Sequence, residues 1–164
     1  MSWMGTRTRN TGWIAIGASL LAAAAQAREE IPVRDLPEAV VAHVRQAYPA
    51  AKIVEAEREV RNRQTIYEVE IRSEKLQRDL LYGADGRLIQ VSVEIPVERT
   101  PAVVLAAAER DYPGMAIREV EQISRGGRTF FLLELGKWFR TVEEEYTDEG
   151  EKVNPVAEER SAST

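Results

Sequence analysis

From position 28 onward the apolar residues recur with two spacings, and the change from one to the other happens twice. Over Pro37–Tyr48 the spacing is helical: Val40, Val44, Ala47 and Tyr48 form one stripe. Pro49 pushes Tyr48 out of the α region, so the helix stops there. The spacing then drops to two. Thr65–Arg72 reads TIYEVEIR, with Tyr67, Val69 and Ile71 alternating against Ile66, Glu68 and Glu70. Leu88–Ile95 alternates in the same way, with Ile89, Val91, Val93 and Ile95 on one face. Lys52–Val60 reads as an earlier strand, turned by Arg61-Asn62-Arg63. Gly83-Ala84-Asp85-Gly86 is a hairpin turn, because Asp-Gly accepts positive φ.

The same order returns 64 positions later. Aligned without a gap, Glu30–Val93 and Glu94–Ala157 share 17 of 64 residues, including Pro37/Pro101, Tyr48/Tyr112, Pro49/Pro113, Glu70/Glu134, Tyr82/Tyr146 and Gly86/Gly150. The identities fall at breaks, turns and core positions, as expected of two copies of one supersecondary unit. Thr100 reads as an N-cap, with Pro101 at the first helical position. Val104, Ala108 and Tyr112 repeat the helical stripe, and Arg125-Gly126-Gly127 repeats the first turn. Helices of about 12 residues are too short to stand alone in water, so each must lie on a sheet. The expected fold class is α+β: two tandem helix-plus-antiparallel-sheet repeats forming one sheet of up to eight strands, with both helices on one face. Residues 28–93 are the first repeat, 94–157 the second, and 158–164 a disordered polar tail.

The first 27 residues stand outside this pattern. Arg7 and Arg9 precede an apolar run, Trp13–Ala25, and Ala25-Gln26-Ala27 fits a cleavage site for export. The run falls short of the roughly 20 residues a membrane helix needs. A signal peptide over 1–27 places the mature chain in the periplasm or outside the cell, with no membrane contact after cleavage. The formal charge of −5 becomes −7 once Arg7 and Arg9 are removed. Acids and bases are interspersed with no basic patch, which argues against nucleic acid as a partner. With no cysteine, neither disulfides nor thiolate zinc can hold the fold, and stability rests on apolar burial.

The stretches AYPAAKIVEAE, IYEVEIR and YGADGRLIQVSVE resemble the PepSY-like, β-lactamase-inhibitor-like family of exported bacterial domains. DYPGMAIREVE and FFLLEL resemble it in the second half, where KWFRTVEEEYTDEGE replaces the usual strand. The resemblance implies a helix-backed antiparallel sheet in the periplasm that binds or inhibits another protein. It carries no catalytic residues and names no target.

Candidate chemistry is sparse. His43 is the sole histidine, sits mid-helix near the apolar stripe, and aligns with Ala107, which favours a structural role over catalysis. The glycines at 126–127 lack the strand–loop–helix context of a phosphate loop. Glu143, Glu144, Glu145, Asp148, Glu149 and Glu151 crowd one hairpin and could attract a hard cation, although their spacing matches no calcium loop. A stronger candidate is the sheet face turned away from the helices. If Tyr67, Val69 and Ile71 face the helices, so do Phe131, Leu133 and Leu135. The other face then carries Ile66, Glu68 and Glu70 in the first repeat and Phe130, Leu132 and Glu134 in the second. Trp138 and Phe139 follow, one on each face, and the spacing leaves the parity of Lys137–Tyr146 open between a regular strand and one with a bulge. Large apolar groups on a solvent face often mark an interface. The reading is therefore a non-enzymatic binding module with no cofactor, docking a protein or peptide through Ile66, Glu68, Glu70, Phe130, Leu132, Glu134 and Trp138. Covering of Phe130 and Leu132 by the C-terminal segment, or by a second copy in a homodimer, is the competing account. A periplasmic small-molecule or cation-binding protein using the acidic hairpin is the alternative function.

Overall fold

The computed structural model describes residues 28–61, 63–74 and 76–153. The signal peptide expected over 1–27, the tail expected over 158–164 and the last residues of the expected second repeat lie outside them. Eight strands form one antiparallel sheet in chain order: β1 (Glu29–Glu30), β2 (Lys52–Arg61), β3 (Gln64–Ser73), β4 (Leu76–Gly83), β5 (Leu88–Glu94), β6 (Ala116–Arg125), β7 (Arg128–Lys137) and β8 (Arg140–Thr147). Two helices interrupt them, α1 (Glu38–Ala47) before β2 and α2 (Ala102–Asp111) before β6. The α+β class and the eight-stranded sheet are as the residue pattern predicts.

Many features of the first half recur 64 positions on. A 3-10 turn at Val33–Asp35 precedes α1, and another at Val97–Arg99 precedes α2. Glu30 pairs with Glu57, and Glu94 with Glu121. The Ile31 N–H donates to the Ala56 carbonyl at 2.8 Å, and the Ile95 N–H to the Val120 carbonyl at 2.9 Å. The segment EIPV, at 30–33 and again at 94–97, thus does one job twice: its first residues pair with the strand that follows the helix, then the proline turns the chain toward that helix.

Both helices end where proline forces them to, with the Tyr48 and Tyr112 N–H groups closing onto the Val44 and Ala108 carbonyls. Their starts differ from expectation. Pro37 and Pro101 occupy the N-cap positions themselves, extended at ψ 138° and 136°, and no side chain caps either helix. Thr100, expected as the cap, is buried one residue earlier.

The helices lie on one face of the sheet. Val40 and Val44 pack on Val69, Ile71, Leu80 and Tyr82, while Val104, Ala107 and Ala108 pack on Val120, Phe131, Leu133, Leu135 and Tyr146. Cross-strand partners share a face, and the row Val69–Leu80–Val91–Ser124 carries the first core's side into β6. A register shift between Leu81 and Tyr82 lets Leu88 join Val91 on that side.

The turn after β4 shows how closely helix and sheet approach. Gly86 has φ +79°, and a Cβ there would stand 2.5 Å from the Ala39 Cβ of α1. Gly150, at φ +80°, meets the Val103 carbonyl oxygen of α2 at 2.8 Å in the same way. Gly86→Ala combines a disfavoured backbone with a clash, and is expected to cost roughly 2 kcal/mol in urea unfolding. A loss below about 0.5 kcal/mol would mean that the turn does not rest on the helix.

Candidate functional site

The face opposite the helices is built by the alternation of every strand. On β2 it presents Glu55, Glu57 and Glu59; on β3, Ile66, Glu68 and Glu70; on β4, Asp79; on β5, Glu94. On β6 it presents Glu119, Glu121 and Ile123; on β7, Phe130, Leu132 and Glu134; on β8, Glu143 and Glu145. Carboxylates stand directly opposite one another at Glu55/Glu70, Glu57/Glu68, Glu70/Asp79, Glu94/Glu121, Glu119/Glu134 and Glu134/Glu143. Like charges so placed oppose sheet formation.

Arginines answer some of this charge. Arg28 reaches Glu57 at 3.3 Å, Glu59 at 3.7 Å and Glu68 at 3.0 Å. Arg72 holds Glu70 at 2.6 Å, and Arg125 holds Glu145 at 2.6 Å. The middle of the face behaves differently. Burial pushes the Asp79 carboxyl up to about 7, helped by the charges of Glu70, Glu68 and Glu55 and opposed by Arg72. Burial also pushes Glu121 up to about 7, helped by Asp79, Glu119, Glu68 and Glu94. Glu68 and Glu57 are raised as well, burial first, with Arg28 pulling both down.

Six of the seven residues singled out from the sequence share this face. Ile66 is buried, Glu70 is buried against Arg72, and Glu68 and Glu134 are half-buried beside Arg28 and Arg118. Phe130 and Leu132 lie on the expected side but are not open to solvent. They are 2% and 4% exposed, packed with Ile123 and against the half-buried Val153. The Arg125 and Arg128 guanidiniums stack on the Phe130 ring at 4.5 and 5.1 Å from its centroid. The C-terminal strap is held in place by the Val153 N–H, which donates to the Glu145 carbonyl at 2.8 Å. The covering anticipated from the C-terminal segment is therefore present in part.

Trp138 is the exception. With Phe139 it forms the two-residue turn between β7 and β8, where Lys137 pairs with Arg140. Both rings project into solvent, and neither lies on a sheet face. The β7–β8 register runs without a shift, so no bulge intervenes. Trp138 has φ +55°, a position where a two-residue hairpin favours glycine. A bulky residue there costs of the order of 1 kcal/mol.

His43 Nδ1 and the Tyr82 hydroxyl are hydrogen-bonded at 2.9 Å under α1, in keeping with a structural role. The acidic hairpin is divided by strand alternation. Glu143 and Glu145 face one way; Glu144 faces the other, where it accepts from Tyr112 and pairs with Lys152 at 2.5 Å. Among the described residues no group of three or more His, Cys, Asp or Glu is arranged to hold a metal ion. The sequence reading missed Asp79 and Glu121, although glutamates at 55, 57 and 59 and at 119 and 121 already show the period of two.

Comparison with known proteins agrees with the resemblance. The model of the family described as "beta-lactamase-inhibitor-like, PepSY-like" matches residues 24–90. A protein from Bacteroides eggerthii described as periplasmic superposes with a TM-score of 0.59 at 14% identity, covering 72% of this chain and 86% of its own. A BLIP-like protein from Bacteroides fragilis superposes at 0.54 with 16% identity, covering 73% and 85%. At such identities the likeness establishes a shared fold. No curated protein matches the sequence. Among the described residues no helix is long and apolar enough to cross a membrane.

Proposed function

We propose that this chain is an exported, non-enzymatic binding module that docks a cation-bearing protein or extended peptide on the helix-free face of its sheet. The ranked carboxylate pairs carry this reading. They oppose the pairing of the strands that bear them, and burial with neighbouring carboxylates pushes two of the carboxyls, Asp79 and Glu121, up to about 7. Lysine or arginine side chains laid along these rows would relieve the repulsion and draw the carboxyls back toward ionisation. The likeness to β-lactamase-inhibitor-like proteins supports a protein as the occupant and leaves its identity open. The apolar residues foreseen as anchors lie on this face but are buried, Phe130 and Leu132 packing with Ile123 across β6 and β7 and against Val153.

The test is covalent capture from periplasmic extract with residues 28–164 as bait, run beside Glu94→Lys with Glu143→Lys. The pair reverses charge on β5 and β8 and leaves the buried cluster intact. A partner that the bait retains and the variant loses, at a melting temperature no lower than that of the bait, is the expected result, with affinity lower by at least about tenfold. Equal retention by both proteins removes the face from the binding site. Retention of the chain by itself alone makes the occupant a second copy.

A further inference from the structure

The β7–β8 turn is the most exposed apolar feature of the described chain: Trp138 is 86% exposed and Phe139 105%. The equivalent turn between β3 and β4, with Ser73 paired to Leu76, carries Glu74 and Lys75 in the sequence. The connection of equal length in the first half thus has no aromatic residue in its sequence, and the tryptophan sits where its backbone is disfavoured. Cations surround the pair. Lys137 and Arg140 flank it, and all three of Lys137, Arg140 and Arg118 are exposed. Behind the turn the Arg118 guanidinium lies over Gly136 and pairs with Glu134 at 3.8 Å, and Lys137 Nζ lies beside Gly114. This is a cationic, aromatic apex on a chain whose formal charge is −5.

We propose that this apex is a membrane-contact finger that seats Trp138 and Phe139 in the headgroup region of an anionic bilayer. Lys137 and Arg140, on either side of the turn, meet lipid phosphates beside the rings. The geometry favours lipid over the other occupants. Both rings stand on a convex tip with cations on either side, which suits a flat, deformable surface of negative charge. A second copy offers its acidic face, but the apolar groups there, Ile123, Phe130 and Leu132, are already covered. The negative charge of the remaining surface repels an anionic bilayer and so orients the molecule tip first. This contact is peripheral, and it departs from the expectation that the mature chain meets no membrane. It is separate from the docking face and stands or falls apart from it.

Residues 28–164 contain Trp138 as their sole tryptophan, since Trp3 and Trp13 precede them. Its fluorescence therefore reports the tip directly. With phosphatidylcholine vesicles containing roughly 30% phosphatidylglycerol, a blue shift is expected that fades as the anionic lipid is omitted or salt is raised to about 0.5 M. In co-sedimentation, Trp138→Ser with Phe139→Ser should lower partitioning at least about tenfold, and Lys137→Glu with Arg140→Glu should abolish the preference for anionic vesicles. The absence of a vesicle-dependent shift, or unchanged sedimentation of the aromatic variant, overturns the proposal. So does a blue shift that tracks protein concentration without lipid, which assigns the tip to a second copy, or one that appears only with a protein partner.

Discussion

Phe130→Ala is expected to lower the unfolding free energy by about 4 kcal/mol, within the range of roughly 3–5 kcal/mol typical of a buried phenylalanine truncated to alanine. The position looks exposed by topology, because it sits on the sheet face without helices. Yet the ring is 2% exposed. It closes a small second core with Ile123, Leu132 and Val153, and two guanidiniums cover its faces. Truncation leaves a cavity that rigid neighbouring strands cannot collapse. It also removes the platform on which Arg125 lies while holding Glu145 at 2.6 Å and the Gln90 side chain at 3.1 Å. Urea unfolding followed by circular dichroism should show a lower midpoint with the slope retained. Phe130→Leu should lose about 1 kcal/mol, since most of the volume stays. A loss below about 1 kcal/mol for the alanine variant would show that solvent reaches the cluster and that this face is open in the second half too. The same burial makes Phe130→Asp a poor surface probe, because any loss of binding would follow from unfolding.

That cluster also marks where reading the residues stopped working. Proline punctuation, a helical stripe followed by a period of two, and Asp-Gly at the turn are local signals, and each acts through its own backbone. They placed the helix ends at Tyr48 and Tyr112 and the sides of Tyr67 and Phe131 correctly. Exposure is not local. Whether Phe130 is covered depends on where Val153 returns, and on which way Arg125 and Arg128 fold over the ring. None of these is visible from spacing within β7. The placement of Trp138 and Phe139 on the sheet faces is what the structure overturns beyond Gly136. Trp138 is an improbable residue for a tight turn, so the turn was not recognised there, and the aromatic pair was assigned to sheet faces. The rows of glutamate were legible in the sequence; their opposition across strands was not, because it depends on a register shift between Ile53 and Glu55 and another between Ile117 and Glu119.

The acidic face should also make this protein more stable at pH 5 than at pH 8, by about 3 kcal/mol. Asp79 and Glu121 titrate near 7 in the folded chain and near their ordinary values, about 4, when unfolded. Between those limits the folded state holds protons that the unfolded state has released. Stability is therefore greatest at the acid end of the window and falls as pH rises through about 7, where both carboxyls ionise against their neighbours. Between pH 5 and about 7 each group crosses roughly 2 pH units, so the two would contribute roughly 5 kcal/mol to the difference if they were independent and dry. Both remain half-buried rather than sealed, and Asp79 is one of the charges that raise Glu121, so about 3 kcal/mol of that should survive. Glu59 and Asp111 act in the opposite sense. Hydrogen bonds from Arg61 and Arg110 hold them below the usual carboxylate range, and their contribution is lost only as pH falls through those lowered values. The stability maximum should accordingly lie near pH 5, with a decline on either side. Asp79→Asn combined with Glu121→Gln should raise stability at pH 8, change it little at pH 5, and flatten the profile between. Urea midpoints at pH 5, 6, 7 and 8 for both proteins decide the matter: a wild-type profile that climbs from 5 to 8, or a double variant running parallel to it, would mean that these two carboxyls are solvated and that the face carries no stored repulsion for a cationic partner to relieve.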